Sequence, residues 1–383
     1  MILLCRFLTA FITIAVCHNT STAQLIDQTW VDANIHINEI QTIGSHNSYK
    51  KAIDPSLMAI LTQADSATAR SLDYAHASLT RQLNLGIRKF EIDVYHDPVG
   101  GHYATPYGIR LVAEQGLPPG PPYDPNKEML KPGFKVFHVQ DIDFRSTCLT
   151  FNACLEEVKK WSDAHPKHIP IVMMIEPKYG TINREHFVRP IDFTPAAIDS
   201  LDNAILNIIP RPRIITPDDV RGKYATLEQA ILAKSWPTLG QTRGKFLFLY
   251  GVKGAKLDMY VDGHPSLSGR VMFANVEPGH PEAAFHLVNN PKTNNKRIQN
   301  LVQKGYMIRT RSDTGTKEAR SGDTSRLEAA LNSGAQIIST DYYLEDKRFG
   351  SGYKVKIPGN TVARFNPILR PNLKMPKLIE NLE

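Results

Sequence analysis

The run IRKFEIDV, Ile87–Val94, decides how this chain is read. Residues two apart on a strand face the same side, so Glu91 and Asp93 point together while Phe90 and Ile92 point the other way. Two like charges held that close need a cation. Seven more short runs rich in β-branched and aromatic residues read as strands: Glu39–Ile43, Lys135–Val139, Ile171–Ile175, Lys245–Tyr250, Arg270–Val276, Tyr306–Thr310 and Gln336–Ser339.

Between these strands, helical spacing recurs at Ser78–Leu85, Cys154–Ala164, Pro195–Ile209, Leu227–Ala233, Asn294–Lys304 and Thr324–Ser333, some opened by Ser, Thr or Asn caps. Strand and helix in alternation predict a parallel α/β fold. Polar groups follow most strands: Ser45-His46-Asn47, Glu91 and Asp93, His138-Gln140-Asp141, Glu176-Pro177-Lys178, Asn275 and Glu277, Arg311-Ser312-Asp313, and Thr340-Asp341. Strands end at the surface, which accounts for some of these. In a parallel barrel they would also converge on one rim, where barrel enzymes keep their active sites. The expected architecture is a TIM-type (β/α)8 barrel with room for irregularity. It forms one domain over residues 24–383, with no internal repeat and no separating linker.

Two segments break the alternation. Residues 96–133 are rich in Gly, Pro and Tyr, an insertion expected to replace the crossover helix after the second strand and to lie beside the site. The tail after Tyr343 lacks a helical period and is expected to pack along the barrel exterior.

The first 23 residues place Arg6 beside a short apolar run, Phe7–Val16, and end in Ser21-Thr22-Ala23, which fits a small-x-small cleavage site. They are expected to be a signal peptide cut near Ala23, which implies a secreted or periplasmic protein. Cys5 and Cys17 leave with it, so Cys148 and Cys154 remain as the pair expected to form a local disulfide in an oxidising compartment. The net charge of +7 suits an anionic surface. Its Lys and Arg residues are scattered rather than clustered, which speaks against a nucleic-acid partner.

Glu91 and Asp93, joined by Asn47 and Glu176, make four oxygen donors without a thiolate. Hard cations such as calcium or magnesium prefer that set, whereas the ExD pair alone is equally a salt-bridge partner for Arg88 or Lys89. A histidine side chain ordinarily titrates near neutral pH, so of His46 and His138 one can accept a proton while the other donates one, as phosphodiester cleavage by an internal hydroxyl requires. Zinc is a competing role for the same imidazoles. Lys178 and Arg311 could hold phosphate oxygens and Asp313 could orient a His or a sugar hydroxyl, with ordinary ion pairing as the plainer alternative.

In the order QTIGSHNSY (Gln41–Tyr49), FEIDVY (Phe90–Tyr95), VFHVQDID (Val136–Asp143), IEPK (Ile175–Lys178), RTRSD (Arg309–Asp313), SGAQIISTDYY (Ser333–Tyr343) and VARFNP (Val362–Pro367), the sequence resembles the bacterial calcium-dependent phosphoinositide phospholipase C family. The resemblance implies that His46 and His138 are the catalytic pair, that Asn47, Glu91, Asp93 and Glu176 are calcium ligands, and that Lys178, Arg311 and Asp313 contact substrate. It also implies a phosphoinositide substrate at a membrane surface. An inositol hydroxyl would attack the adjacent phosphorus, deprotonated by His46 or by metal-bound Glu91, while His138 protonates diacylglycerol; a monomer is expected.

A glycerophosphodiester phosphodiesterase also uses two His and an ExD pair, but its first His is followed by Arg-Gly where Asn47-Ser48 stands here. A non-catalytic headgroup-binding barrel would have no need of both His46 and His138.

Overall fold

A computed structural model describes residues 26–381. The expected signal peptide, with Cys5 and Cys17, lies outside the described residues. Among the described residues no helix is long and apolar enough to cross a membrane.

Eight parallel strands form the frame: β1 (Ile40–Ser45), β2 (Lys89–Val94), β3 (Ile171–Pro177), β4 (Phe246–Tyr250), β5 (Met272–Ala274), β6 (Phe285–Leu287), β7 (Met307–Arg311) and β8 (Ile337–Thr340). Hydrogen-bonded neighbours run β5-β4-β3-β2-β1-β8-β7-β6. A single parallel bridge from Asn275, just past β5, to Phe285 of β6 brings the two ends together. The expected α/β barrel is therefore present, with its weakest seam at the two three-residue strands.

Helices bury apolar stripes against the outside of the strands, and short polar caps start them. Ser78 accepts from Arg81 N ahead of α1 (Leu79–Asn84), Thr150 from Ala153 N ahead of α2 (Phe151–Ala164), and Thr194 from Ala197 N ahead of α3 (Pro195–Ile208). The predicted helices are all found.

Inside the barrel, alternation puts Lys89, Glu91 and Asp93 of β2 inward, while buried Phe90, Ile92 and Val94 join the apolar core. Gly44 on β1 makes room for this: a Cβ there would lie 2.7 Å from both Cβ and Cδ of Lys89.

Three expectations need correction. Lys135–Val139 is not a barrel strand. Lys135 bridges antiparallel to Tyr95 and to Thr150, and Val139 bridges to Asp143, so the segment belongs to an antiparallel ribbon that rises from the end of β2 and returns to α2. α2 is the crossover helix, so the insertion adds to it rather than replacing it. The missing strand is β6, whose three residues are too short to stand out as a period. The tail is also not merely external: Ala363–Phe365 pairs antiparallel with the first half of β1, opposite β8, which limits the β1–β2 pairing to Gly44–Lys89. Farther on, the carboxylate of Glu380 binds the Arg88 guanidinium and accepts from Ile169 N at 2.8 Å.

Candidate active site

β1 delivers His46 and Asn47 to the rim. His46 N–H donates to Thr340 O at 3.0 Å, continuing the β1–β8 pairing, and Asn47 turns the chain with a φ of 46°. The His46 ring is held from two sides. Nδ1 lies 2.8 Å from Asp341 Oδ1, and Arg311 Nη1 lies 2.9 Å from Nε2. Arg311 also donates to Asp341 Oδ2 at 2.7 Å, which closes a three-residue ring. A guanidinium only donates, so Nε2 must be the bare nitrogen and Nδ1 must carry the proton. Burial, then the Arg311 charge, lowers the His46 pKa below the ordinary histidine value and favours this neutral form.

His138 reaches the same rim from the ribbon. Its Nδ1 lies 2.7 Å from Asp143 Oδ2, and its backbone O accepts from Tyr95 OH at 3.0 Å. The ribbon is fastened at its base by the Cys148–Cys154 disulfide, which ties it to α2 as the spacing predicted. The two His side chains are alike in exposure, 19% and 18%, so each is mostly enclosed yet open to a reactant. Tyr74 lies between their supports: its ring stacks beside His46 with centroids 6.3 Å apart, and Lys50 sits 4.6 Å over its face while contacting Asp143 at 3.2 Å.

Below the imidazoles lie the carboxylates. Glu91 Oε1 is 3.6 Å from His46 Nε2, while Oε2 binds Lys89 Nζ at 2.7 Å and the Arg309 guanidinium. Burial opposes ionisation of Glu91, but Arg309 and then Lys89 outweigh it and hold the pKa well below the ordinary value. Asp93 pairs in register with Glu176 of β3, and Lys178 Nζ reaches both, at 3.1 and 3.7 Å. Burial, then the charges of Glu91 and Asp93, pushes Glu176 up to about 7. The charge of Asp93, joined by that of Glu176 and only partly opposed by burial, raises the Lys178 ammonium above the usual lysine range.

This donor set fits a hard divalent cation. Both Asp93 oxygens are buried and neither accepts a well-formed hydrogen bond, only the Lys178 ammonium standing against one of them, and Glu176 resists ionisation because it is buried and because negative charge already stands beside it. Asn47 commits its amide nitrogen to Tyr74 OH at 2.7 Å, which leaves its oxygen for another partner. Among the described residues no three acidic, His or Cys side chains already stand at metal-ligating spacing.

Asp313, expected to contact substrate, does not line the opening. It is fully buried, where it accepts from Asp341 N at 2.9 Å, Ser312 Oγ at 2.9 Å and the Thr340 hydroxyl. Burial, then Asp341, lifts its pKa to about 6. It braces the segment that carries Asp341. Sequence reasoning gave no role to Asp341, Asp143, Lys50 or Arg309 and offered Lys89 only as an ion-pair partner of the ExD carboxylates, which it is for Glu91; only the acidic strand end Thr340-Asp341 and the block VFHVQDID hinted at the first two.

Residues 35–367 match the family described as phosphoinositide phospholipase C, Ca2+-dependent. The fold is similar to that of a calcium-dependent phosphoinositol-specific phospholipase C from Pseudomonas sp., at 19% identity and a TM-score of 0.51 over 87% of this chain and 96% of that one. It is also similar to a Ca2+-dependent phosphatidylinositol-specific phospholipase C from Streptomyces antibioticus, at 16% identity and a TM-score of 0.50 over 81% and 95% of the two chains. No curated protein sequence gives a significant match. The family match spans the barrel from the approach to β1 through the tail strand, and on that ground the chain belongs to the Ca2+-dependent phosphoinositide phospholipase C family, whose members are phosphodiesterases.

Proposed function

We propose that this phospholipase C cleaves phosphatidylinositol by acid–base catalysis between His46 and His138, releasing diacylglycerol and a cyclic inositol phosphate. The observation that carries the reading is the matched support of the two rings: each Nδ1 faces a buried carboxylate, Asp341 or Asp143, so proton transfer falls to each Nε2, that of His46 once Arg311, which donates to it here, turns to the substrate phosphate.

His46, kept neutral, takes the proton of the inositol hydroxyl as that oxygen bonds to phosphorus. The bond from phosphorus to the glycerol oxygen breaks, and His138 gives that oxygen its proton. Arg311 and Lys178 supply cations for the phosphate oxygens. Calcium held by Asn47, Glu91, Asp93 and Glu176 would acidify the attacking hydroxyl and neutralise charge on the phosphate.

The proposal extends to place. The N-terminal 23 residues direct export, and the enzyme works on a membrane surface. Val99, Ile109 and Leu130 support this, because the insertion that follows β2 leaves all three exposed, Val99 at 81%. In this reading the enzyme acts as a monomer.

Incubating the protein with phosphatidylinositol vesicles, with and without calcium, and reading the products by phosphorus NMR tests the reading. A cyclic phosphodiester signal that requires calcium, and that is absent with His46→Ala and with His138→Ala, is expected. Near-normal product from both variants would overturn the acid–base assignment.

A further inference from the structure

Lys178 enters the site from the end of β3 with its backbone already fixed. Its N–H donates to Val94 O at 2.8 Å, carrying the β2–β3 pairing one residue past Pro177. Only the side chain is free to move. It folds back so that Nζ lies 3.1 Å from Asp93 Oδ2 and 3.7 Å from Glu176 Oε2.

Those are two of the four carboxylate and amide groups assigned above to calcium. Asp93 is buried and neither of its oxygens accepts a hydrogen bond, so the ammonium contact is what balances its charge. The third carboxylate is treated differently: Lys89 and Arg309 grip Glu91 Oε2, both are buried, and neither has a path out. Lys178, by contrast, is 32% exposed and sits where its stem can rotate into solvent. An ammonium and a divalent ion cannot both occupy the space between Asp93 and Glu176, because like charges at that range repel strongly.

On the reading that these residues hold calcium, we propose that Lys178 is a tethered competitor for the metal: its ammonium occupies the Asp93–Glu176 pair in the calcium-free protein and must swing out for calcium to bind. Lys178 thereby sets the calcium affinity of the enzyme. It also links loading to substrate binding, since the displaced ammonium is released toward the rim where the lipid phosphate is received. If the folded-in state is populated about nine times in ten, it weakens apparent calcium affinity about tenfold.

Two measurements on the full chain test this. Calorimetric titration with calcium should give a dissociation constant about tenfold lower for Lys178→Met than for the wild type, and one close to wild type for Lys178→Arg, which keeps the charge. Amine footprinting of the wild type with an acetylating reagent, read by mass spectrometry, should show Lys178 becoming several times more reactive when calcium is added while exposed lysines such as Lys131 stay constant; this measurement needs no variant to fold. An unchanged or weaker calcium affinity in Lys178→Met, or unchanged Lys178 reactivity, overturns the proposal. Asp93→Asn separates the two levels: if it leaves calcium binding intact, the ligand assignment itself fails, whereas lost binding there with no effect of Lys178→Met defeats the competition alone.

Discussion

Lys50 Nζ lies 3.2 Å from Asp143 Oδ1 with both side chains fully buried, while the other oxygen of Asp143 holds His138 Nδ1 at 2.7 Å. The imidazole thus leans on a carboxylate that itself leans on a cation, and the same ammonium donates to Tyr74 O at 2.8 Å. Tyr74 in turn accepts from Asn47, so one buried lysine braces both the His138 side and a calcium-ligand candidate.

Removing one partner of such a pair leaves an uncompensated buried charge. Lys50→Met is expected to lose about 3–5 kcal/mol in urea unfolding. Pairing it with Asp143→Asn should restore much of that stability, because no net charge is then stranded, yet leave turnover low, because His138 has lost its carboxylate. A single variant as stable as the wild type would refute the charge argument, and a double variant with normal turnover would refute the orienting role.

With His46 as the proposed general base, its ionisation sets the acid limb of the pH profile. Its pKa is lowered first by burial and then by Arg311, and a general base works only when unprotonated. As pH falls through that pKa the rate falls, so the acid limb of kcat/KM for the wild type should lie below the ordinary histidine value. Arg311→Gln removes a lowering influence and leaves Asp341, which acts in the opposite sense. The limb should therefore move to higher pH, alongside a drop in rate at neutral pH. An acid limb that stays in place would detach Arg311 from the titration of His46.

The sequence exposed those parts of the site that strand geometry alone arranges. Glu91 and Asp93 share a face by alternation, and His46, Asn47 and Glu176 sit where parallel strands end, so their convergence needed no knowledge of packing. What it hid were partners distant along the chain. Asp341 binds His46 across 295 residues, and nothing local marks an aspartate as an imidazole's support. His138 was legible as a residue but not as a position: Lys135–Val139 has the composition of a strand, yet its hydrogen bonds go to Tyr95, Leu149 and Asp143 in a ribbon above the barrel. Asp313 misled for the opposite reason, since a polar residue after a strand can brace the fold from beneath.

The ribbon gives the disulfide a purpose beyond stability. Cys148 and Cys154 are 6 residues apart, so the loop they close is short and its closure is worth only about 2 kcal/mol. They do join the returning arm of the His138 ribbon to the first turn of α2. Cys148→Ala with Cys154→Ala should therefore lower kcat several-fold with little change in KM, together with a modest fall in melting temperature. Full turnover in the doubly substituted protein would show that the backbone pairing of Lys135 with Tyr95 and Thr150 holds His138 unaided.

Gly44 tests whether the charged interior is as tightly fitted as the site requires. Adding a methyl group there puts a Cβ 2.7 Å from Lys89 Cβ and Cδ, and Lys89 cannot yield without pulling Nζ from Glu91 Oε2, 2.7 Å away, and from Ser45 O, 3.2 Å away. Overpacking of this kind destabilises by about 1–3 kcal/mol. Gly44→Ala should also reduce turnover at saturating calcium, because Glu91 loses one of the two cations that fix it 3.6 Å from His46. Gly180→Ala is the matched control: a Cβ there meets nothing within 4 Å, and the expected change is within about 0.5 kcal/mol. Equal melting temperatures and equal rates for the two variants would mean that Lys89 can relocate freely and that the grip on Glu91 does not depend on it.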